Sequence, residues 1–130
     1  MESISVLKMY RYYFEKLDVF KNSRELTNKI YIITSSYPSE EKFSLANQIR
    51  RSAVSVLANL VEGNSRVTKK DQANFTTISF SSLMELLSLI MVSFDQKFIN
   101  KRDYEEIRYK INHISNQLIA LRKVQLKKES

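Results

Sequence analysis

One glycine and one proline, Gly63 and Pro38, stand in a chain of 130 residues. Tight hairpins draw on glycine for positive φ, and most loops draw on glycine or proline. A chain with so few turn residues has few places to reverse direction. That favours a small number of long helices over a sheet. The length suits one domain, and a chain of this size buries roughly two-thirds of its unfolded surface, enough for a core without staples.

The spacing of apolar residues divides the chain into four helical segments. The first is predicted over 18–36, with Asp18 as its N-cap. Leu26, Ile30, Ile33 and Tyr37 step by 4, 3 and 4 along one face. Pro38 ends the segment, because the residue before a proline is pushed out of the α region. The second is predicted over 39–62, where Glu40 and Glu41 suit a positive helix start. Ala46, Ile49, Ala53, Val56 and Leu60 form one stripe, and Leu45, Val54, Leu57 and Val61 form another beside it. Ser52, Ala53, Ser55 and Ala58 are small, which predicts close approach of a neighbouring helix and burial on several sides. Gly63 is expected as the left-handed C-terminal cap.

The third segment is predicted over 68–95, opening on Thr68 with Asp71 three residues on, as in a capping box. Phe75, Ile78, Leu83, Leu86, Ile90 and Phe94 make one stripe, and Phe80, Met84, Leu87 and Met91 a second. The fourth is predicted over 101–126. Its residues Tyr104, Ile107, Ile111, Ile114, Leu118 and Leu121 step by 3, 4, 3, 4 and 3, a heptad seam between charged faces. Together these segments predict an all-α chain, an antiparallel up-down four-helix bundle. Residues 1–17 read as an N-terminal extension, 18–126 as the bundle and 127–130 as a basic tail. One bundle core fully buries only one stripe per helix, so the second stripes predict a homo-oligomer.

Net charge is +7, divided as +2 over 1–38, +3 over 39–70, −2 over 71–100 and +4 over 101–130. Uneven positive charge points to a polyanion such as RNA or DNA, or to nothing beyond a basic solvated surface. There is no cysteine, so disulfides and thiolate metal sites are excluded, and the composition fits a cytoplasmic protein. No stretch reaches the roughly 18 uncharged apolar residues of a membrane span, and Met1 to Leu7 lack the basic start of a signal peptide. No membrane association is expected.

Enzymatic chemistry finds little to work with. His113 is the only histidine and is expected to be partly buried beside the seam. No Glu-x-x-His pair of the di-iron bundles occurs, and one glycine cannot build a phosphate loop. No metal, cofactor or catalytic residue is expected. The polar residues are more informative. Asn59 and Glu62 interrupt or border the apolar run of the second helix, and Glu85 sits mid-way along the third. A carboxylate in an apolar stretch needs a partner, so Arg50 or Arg51 is expected to pair with Glu62 or Glu85. Alternatively the two arginines form a phosphate fork. Lys69 and Lys70 open the third helix after Arg66 in the preceding loop; free N–H groups there favour an anion, and the alternative is a solvated loop. Near the N-terminus, Tyr10, Tyr12, Tyr13 and Phe14 alternate with Lys8, Arg11 and Lys16. That pattern either docks on the chain's own surface or stacks on bases.

The run from Gln48 to Gly63, QIRRSAVSVLANLVEG, resembles the QIRRAAVSIPANIAEG signature of the 23S rRNA intervening-sequence protein family. Leu17-Asp18-Val19-Phe20-Lys21 resembles that family's first-helix opening. Phe75 to Leu86, ending Ser81-Ser82-Leu83-Met84-Glu85-Leu86, resembles a further segment. Phe20 stands in place of a tryptophan, Leu57 in place of a proline and Ser81 in place of a glycine. The last two exchanges predict a straighter second helix and looser packing between the second and third. The resemblance implies a four-helix bundle assembling as a ring, commonly a homopentamer. It also implies two settings: rRNA intervening sequences, and the accessory proteins of diversity-generating retroelements, which bind nucleic acid and work with a reverse transcriptase.

These readings converge on a non-enzymatic oligomer that neutralises phosphates of RNA or DNA. The residues expected to do so are Arg50, Arg51, Arg66, Lys69, Lys70, Arg122, Lys123, Lys127 and Lys128. The alternative is a protein–protein scaffold with no nucleic-acid role.

Overall fold

The structure is a computed structural model, and it describes residues 9–127. A 3-10 turn, Tyr13–Lys16, leads into α1 (Asp18–Thr34). The single-turn α2 (Ser39–Lys42) is followed by three long helices, α3 (Leu45–Asn64), α4 (Lys69–Asp95) and α5 (Lys101–Lys127). Among the described residues there is no strand. The fold is all-α, with four long helices.

The helix ends differ from the sequence expectations for local reasons. The N-cap of α1 is Leu17, in an extended conformation, and Asp18 is the first helical residue, where its charge meets the positive helix start. At the other end the Ser35 and Ser36 hydroxyls donate to Ile32 O and Ile33 O at 2.6 and 2.9 Å. Such local bonds compete with the helix ladder, and α1 stops two residues short of Ser36. The segment expected to be one helix over 39–62 is broken at Phe43 and Ser44, with Ser44 at φ −121° and ψ −89°. Nothing in α2 is buried and Phe43 is 92% exposed, so no packing holds that first turn in line with α3.

Gly63 is not a left-handed cap. The helix runs through it to Asn64, and no described glycine has positive φ. Its role is close approach: a Cβ there would lie 3.0 Å from Phe75 Cβ and 3.2 Å from Gln72 O. Thr68 caps α4 as expected, accepting from Asp71 N at 3.1 Å. The far end of α4 closes in a Schellman motif. Phe98 N donates to Ser93 O at 2.9 Å and Lys97 N to Phe94 O at 3.0 Å. Lys97, at φ 64°, occupies the position that glycine usually takes. Asn100 Oδ1 accepts from Asp103 N at 2.8 Å and starts α5.

The stripes of three helices form the core as their spacing predicts. Leu26, Ile30, Ile33 and Tyr37 are buried, as are Ala46, Ile49, Ala53, Val56 and Leu60, and Ile107, Ile111, Ile114 and Leu118. In α4 the first half departs from expectation. Its buried face is Ala73, Thr76, Ser79 and Ser82, not Phe75 and Ile78. The reason is tight packing against the small residues of α3. Ser79 Oγ donates to Val56 O at 2.8 Å, and Ser55 and Ser82 share a 2.8 Å hydrogen bond. Only small side chains fit at that spacing, so Ile78 turns outward and is 45% exposed. Ser81 is exposed, so it does not loosen this contact.

Other pairs fix the remaining neighbours. Thr34 meets Arg50 between α1 and α3, Thr76 meets Gln125 between α4 and α5, and Asn22 meets Gln117 between α1 and α5. The second stripe of α3 is half-buried or exposed, and Ala58, expected inside, is exposed. By length and composition α4 is apolar enough to cross a membrane, with mean hydropathy 1.6 over 18 residues and 33% of that window buried. Counting uncharged residues missed this, because Glu85 interrupts a helix that is apolar on two sides.

Candidate nucleic-acid interface

The structure divides the expected phosphate-binding residues into two groups. Arg66 lies in the turn after α3, and Lys69 and Lys70 open α4. Arg122, Lys123 and Lys127 lie in the last turns of α5. Hydrogen bonds from Thr76 to Gln125 and from Arg122 Nε to Thr77 Oγ1, at 2.8 and 2.9 Å, hold these two regions together. Residues more than fifty positions apart therefore share one end of the molecule. Lys128 lies outside the described residues.

Arg50 and Arg51 belong to neither region. Arg50 is fastened to α1: its Nε donates to Thr34 Oγ1 at 2.8 Å, its Nη2 to Tyr31 O at 3.2 Å, and its guanidinium lies 4.6 Å from the Tyr31 ring centroid. These contacts pin the end of α1 to α3. Arg51 is exposed, beside a shallow groove lined by Asn47, Val54 and Ala58. The expected pairing of Arg50 or Arg51 with Glu62 or Glu85 does not form. Glu62 instead pairs with Arg66 at 3.7 Å, and the Arg66 guanidinium lies 4.6 Å from the Phe75 ring centroid. Glu85 is exposed, so burial does not demand a partner for it. Asn59 Nδ2 donates to Ser55 O and to Ser55 Oγ, at 2.9 and 3.1 Å, which ties Asn59 to the Ser55–Ser82 contact.

The aromatic segment before α1 sits at the basic end. Its rings form a ladder: Tyr10 meets Tyr12 at 4.9 Å, Tyr12 meets Phe14 at 6.2 Å, and Phe14 meets Phe20 at 5.0 Å. Phe14 and Leu17 dock on the bundle, while Tyr10, Tyr12 and Tyr13 keep 76, 60 and 67% of their surface exposed. Part of the segment therefore docks on the chain's own surface, while its three tyrosines stay exposed. Lys8 lies outside the described residues.

Tyr13 and Leu17 also wall a cleft with Leu60, Leu121 and Val124, and Asn64, Lys69, Gln72 and Gln125 bring polar groups to it. Sequence reading missed these amides. A signal was present: Gln125 continues the α5 seam one turn beyond Leu121, and Gln72 lies one turn before the buried Thr76.

His113 is exposed, contrary to expectation, because it sits one residue outside the Ile111–Ile114 seam. Near it, Lys110 Nζ bonds Glu25 Oε1 at 2.8 Å, which holds the Glu25 carboxyl below its ordinary range. Among the described residues no three His, Asp or Glu side chains converge as metal ligands do.

Cations and exposed rings gathered at one end of four long helices describe a small, basic, all-helical protein. Over residues 15–120 the chain matches the family of the 23S rRNA-intervening sequence protein, and it belongs to that family. It is also similar to a crystal structure of a protein of unknown function, from the S23 ribosomal protein family of Bacteroides thetaiotaomicron VPI-5482. That similarity has 25% identity and a TM-score of 0.75, covering 81% of this chain and 98% of the other. No curated protein matches the chain.

Proposed function

We propose that this protein is a non-enzymatic accessory protein that binds RNA or DNA, chiefly through phosphate contacts at the basic end of its bundle. The observation that carries this reading is the gathering of Arg66, Lys69 and Lys70 with Arg122, Lys123 and Lys127, next to three exposed tyrosines. Cations at this density attract phosphates, and tyrosine faces stack on bases of any sequence.

The active form is a homo-oligomeric, pentameric ring of antiparallel up-down bundles. Support for the helix directions comes from the order of cross-helix pairs. Residue 55 meets 82 while 63 approaches 75, and residue 22 meets 117 while 25 meets 110. Support for assembly comes from the outward apolar residues Val54, Ile78, Met91 and Val92, each 43–45% exposed.

A scaffold without nucleic acid is the second reading. It is favoured by Arg50 and Arg66, whose guanidinium groups are engaged within the chain. A salt titration of a fluorescent single-stranded oligonucleotide separates the two. If a subunit neutralises on the order of five phosphates, log affinity falls against log salt with a slope of about −3.5. No binding at about 50 mM salt, where screening is weak, leaves the scaffold as the better account.

A further inference from the structure

We infer that the cleft at the basic end takes one unstacked nucleobase from a single strand whose phosphates the surrounding cations hold; this deepens the nucleic-acid reading above and rests on it. The cleft is lined by the apolar side chains of Leu17, Leu60 and Leu121, by Tyr13 and by the half-buried residue Lys69. That combination suits a flat apolar ring carrying polar edges and a nearby negative charge. A purely anionic ligand would use the polar lining but leave Leu17, Leu60, Leu121 and Val124 uncovered.

The amides make the fit more specific. Gln125 Oε1 already accepts from Thr76 Oγ1 at 2.8 Å, so its Nε2 is left as a donor. Gln72 Nε2 already donates to Arg66 O at 2.9 Å, so its Oε1 is left as an acceptor. Asn64 makes no side-chain hydrogen bond to a described residue, and Lys69 has no ion pair among them. Intrachain bonds thus pre-set one donor and one acceptor at the cleft. Every nucleobase carries both functions side by side on its pairing edge. Single-stranded sites work by this combination, a cationic track for the backbone and aromatic faces for the bases.

The test compares two fluorescent ligands of roughly ten nucleotides, a length within known single-strand site sizes. One is oligothymidylate. The other carries the same phosphates with a tetrahydrofuran spacer in place of each nucleoside. Full-length protein is expected to bind the thymidylate roughly tenfold more tightly. Val124→Trp, which fills the cleft from a half-exposed position, and Asn64→Leu, which removes an amide, are each expected to shrink that ratio toward one. Both variants should keep the salt slope of the parent and its helical circular dichroism. Equal binding of the two ligands by the parent protein overturns the cleft and leaves the basic surface standing. A preference that persists in both variants places the stacking elsewhere, on Tyr10 and Tyr12, and overturns the cleft as well. Failure of both ligands to bind removes the nucleic-acid reading itself, and the cleft with it.

Discussion

Single positions in this chain carry local conflicts that substitution can expose. Lys97 adopts φ 64° to close α4, a region that costs a non-glycine residue about 1–2 kcal/mol. The Schellman bonds and the packing of Phe98 against Tyr37, with ring centroids 5.5 Å apart, hold it there. Lys97→Gly is expected to stabilise the fold by about 1 kcal/mol, read as a higher urea midpoint at unchanged slope. Tyr37 is a second case. It is 3% exposed, and among the described residues neither its hydroxyl nor that of Ser93 has a hydrogen-bond partner within 3.5 Å. Burial pushes the phenol above its ordinary value, and the nearby Ser93 hydroxyl pulls weakly the other way. The unfolded chain therefore releases this proton first as pH rises past about 10. Above that point the native state binds more protons, so stability falls with pH until the buried phenol also ionises. Tyr37→Phe should leave stability at neutral pH within about 1 kcal/mol and flatten the alkaline loss, measured by thermal melts from neutral to strongly alkaline pH.

At the scale of elements, α3 presents two faces with different tasks. Ala53 is 1% exposed within the core, whereas Ala58 faces outward beside Val54. Ala53→Arg buries an unpaired charge at a cost of about 3–5 kcal/mol, and loss of helical circular dichroism is expected. Ala58→Arg should keep the helical spectrum but lower the mass seen by light scattering, because it burdens only the proposed contact between copies. A folded, fully assembled Ala58→Arg protein would refute that placement of the interface.

The same helix shows what was legible in the sequence. Its stripe from Ala46 to Leu60 was readable because period alone decides which side faces a core. The orientation of Ala58 was not, since small residues mark close contact without saying on which side. The rotation of α4 escaped reading for a related reason. Hydrophobicity favoured Phe75 and Ile78, but α4 lies against α3 through Ser79 on Val56 O and Ser82 on Ser55, and Ala73 and Thr76 continue that buried face. In the candidate site, the lysines were visible as charges. The amides at Asn64, Gln72 and Gln125 depend on which helices meet, and no single segment contains that information.

Taken whole, the molecule has two unlike ends. At one, Arg66, Lys69 and Lys70 adjoin Arg122, Lys123 and Lys127. Acids occur there too, since Arg66 pairs with Glu62, but at the other end a single lysine, Lys29, lies between two of them, 3.7 Å from Asp103 and 3.5 Å from Glu106. Only the first end should contribute to phosphate binding. Changing Lys123, Lys127 and Lys128 together to Ala is expected to weaken oligonucleotide binding for all sequences alike and to reduce the salt slope by up to about 2. The same number of changes at Lys97, Lys101 and Arg102 should leave the slope unchanged. Equal effects from both sets would mean that net charge, not its position, governs the interaction.

The break between α2 and α3 also has a consequence for cleavage. Phe43 is exposed at a point where the chain leaves helical geometry and nothing adjacent in α2 is buried. Such a segment opens at low free-energy cost, and an aromatic residue there is a natural target for a chymotrypsin-like protease. Limited digestion is expected to nick the chain first after Phe43. The two pieces should then migrate together on a sizing column, because Leu26, Ile30 and Ile33 of α1 remain locked into the core built by α3, α4 and α5.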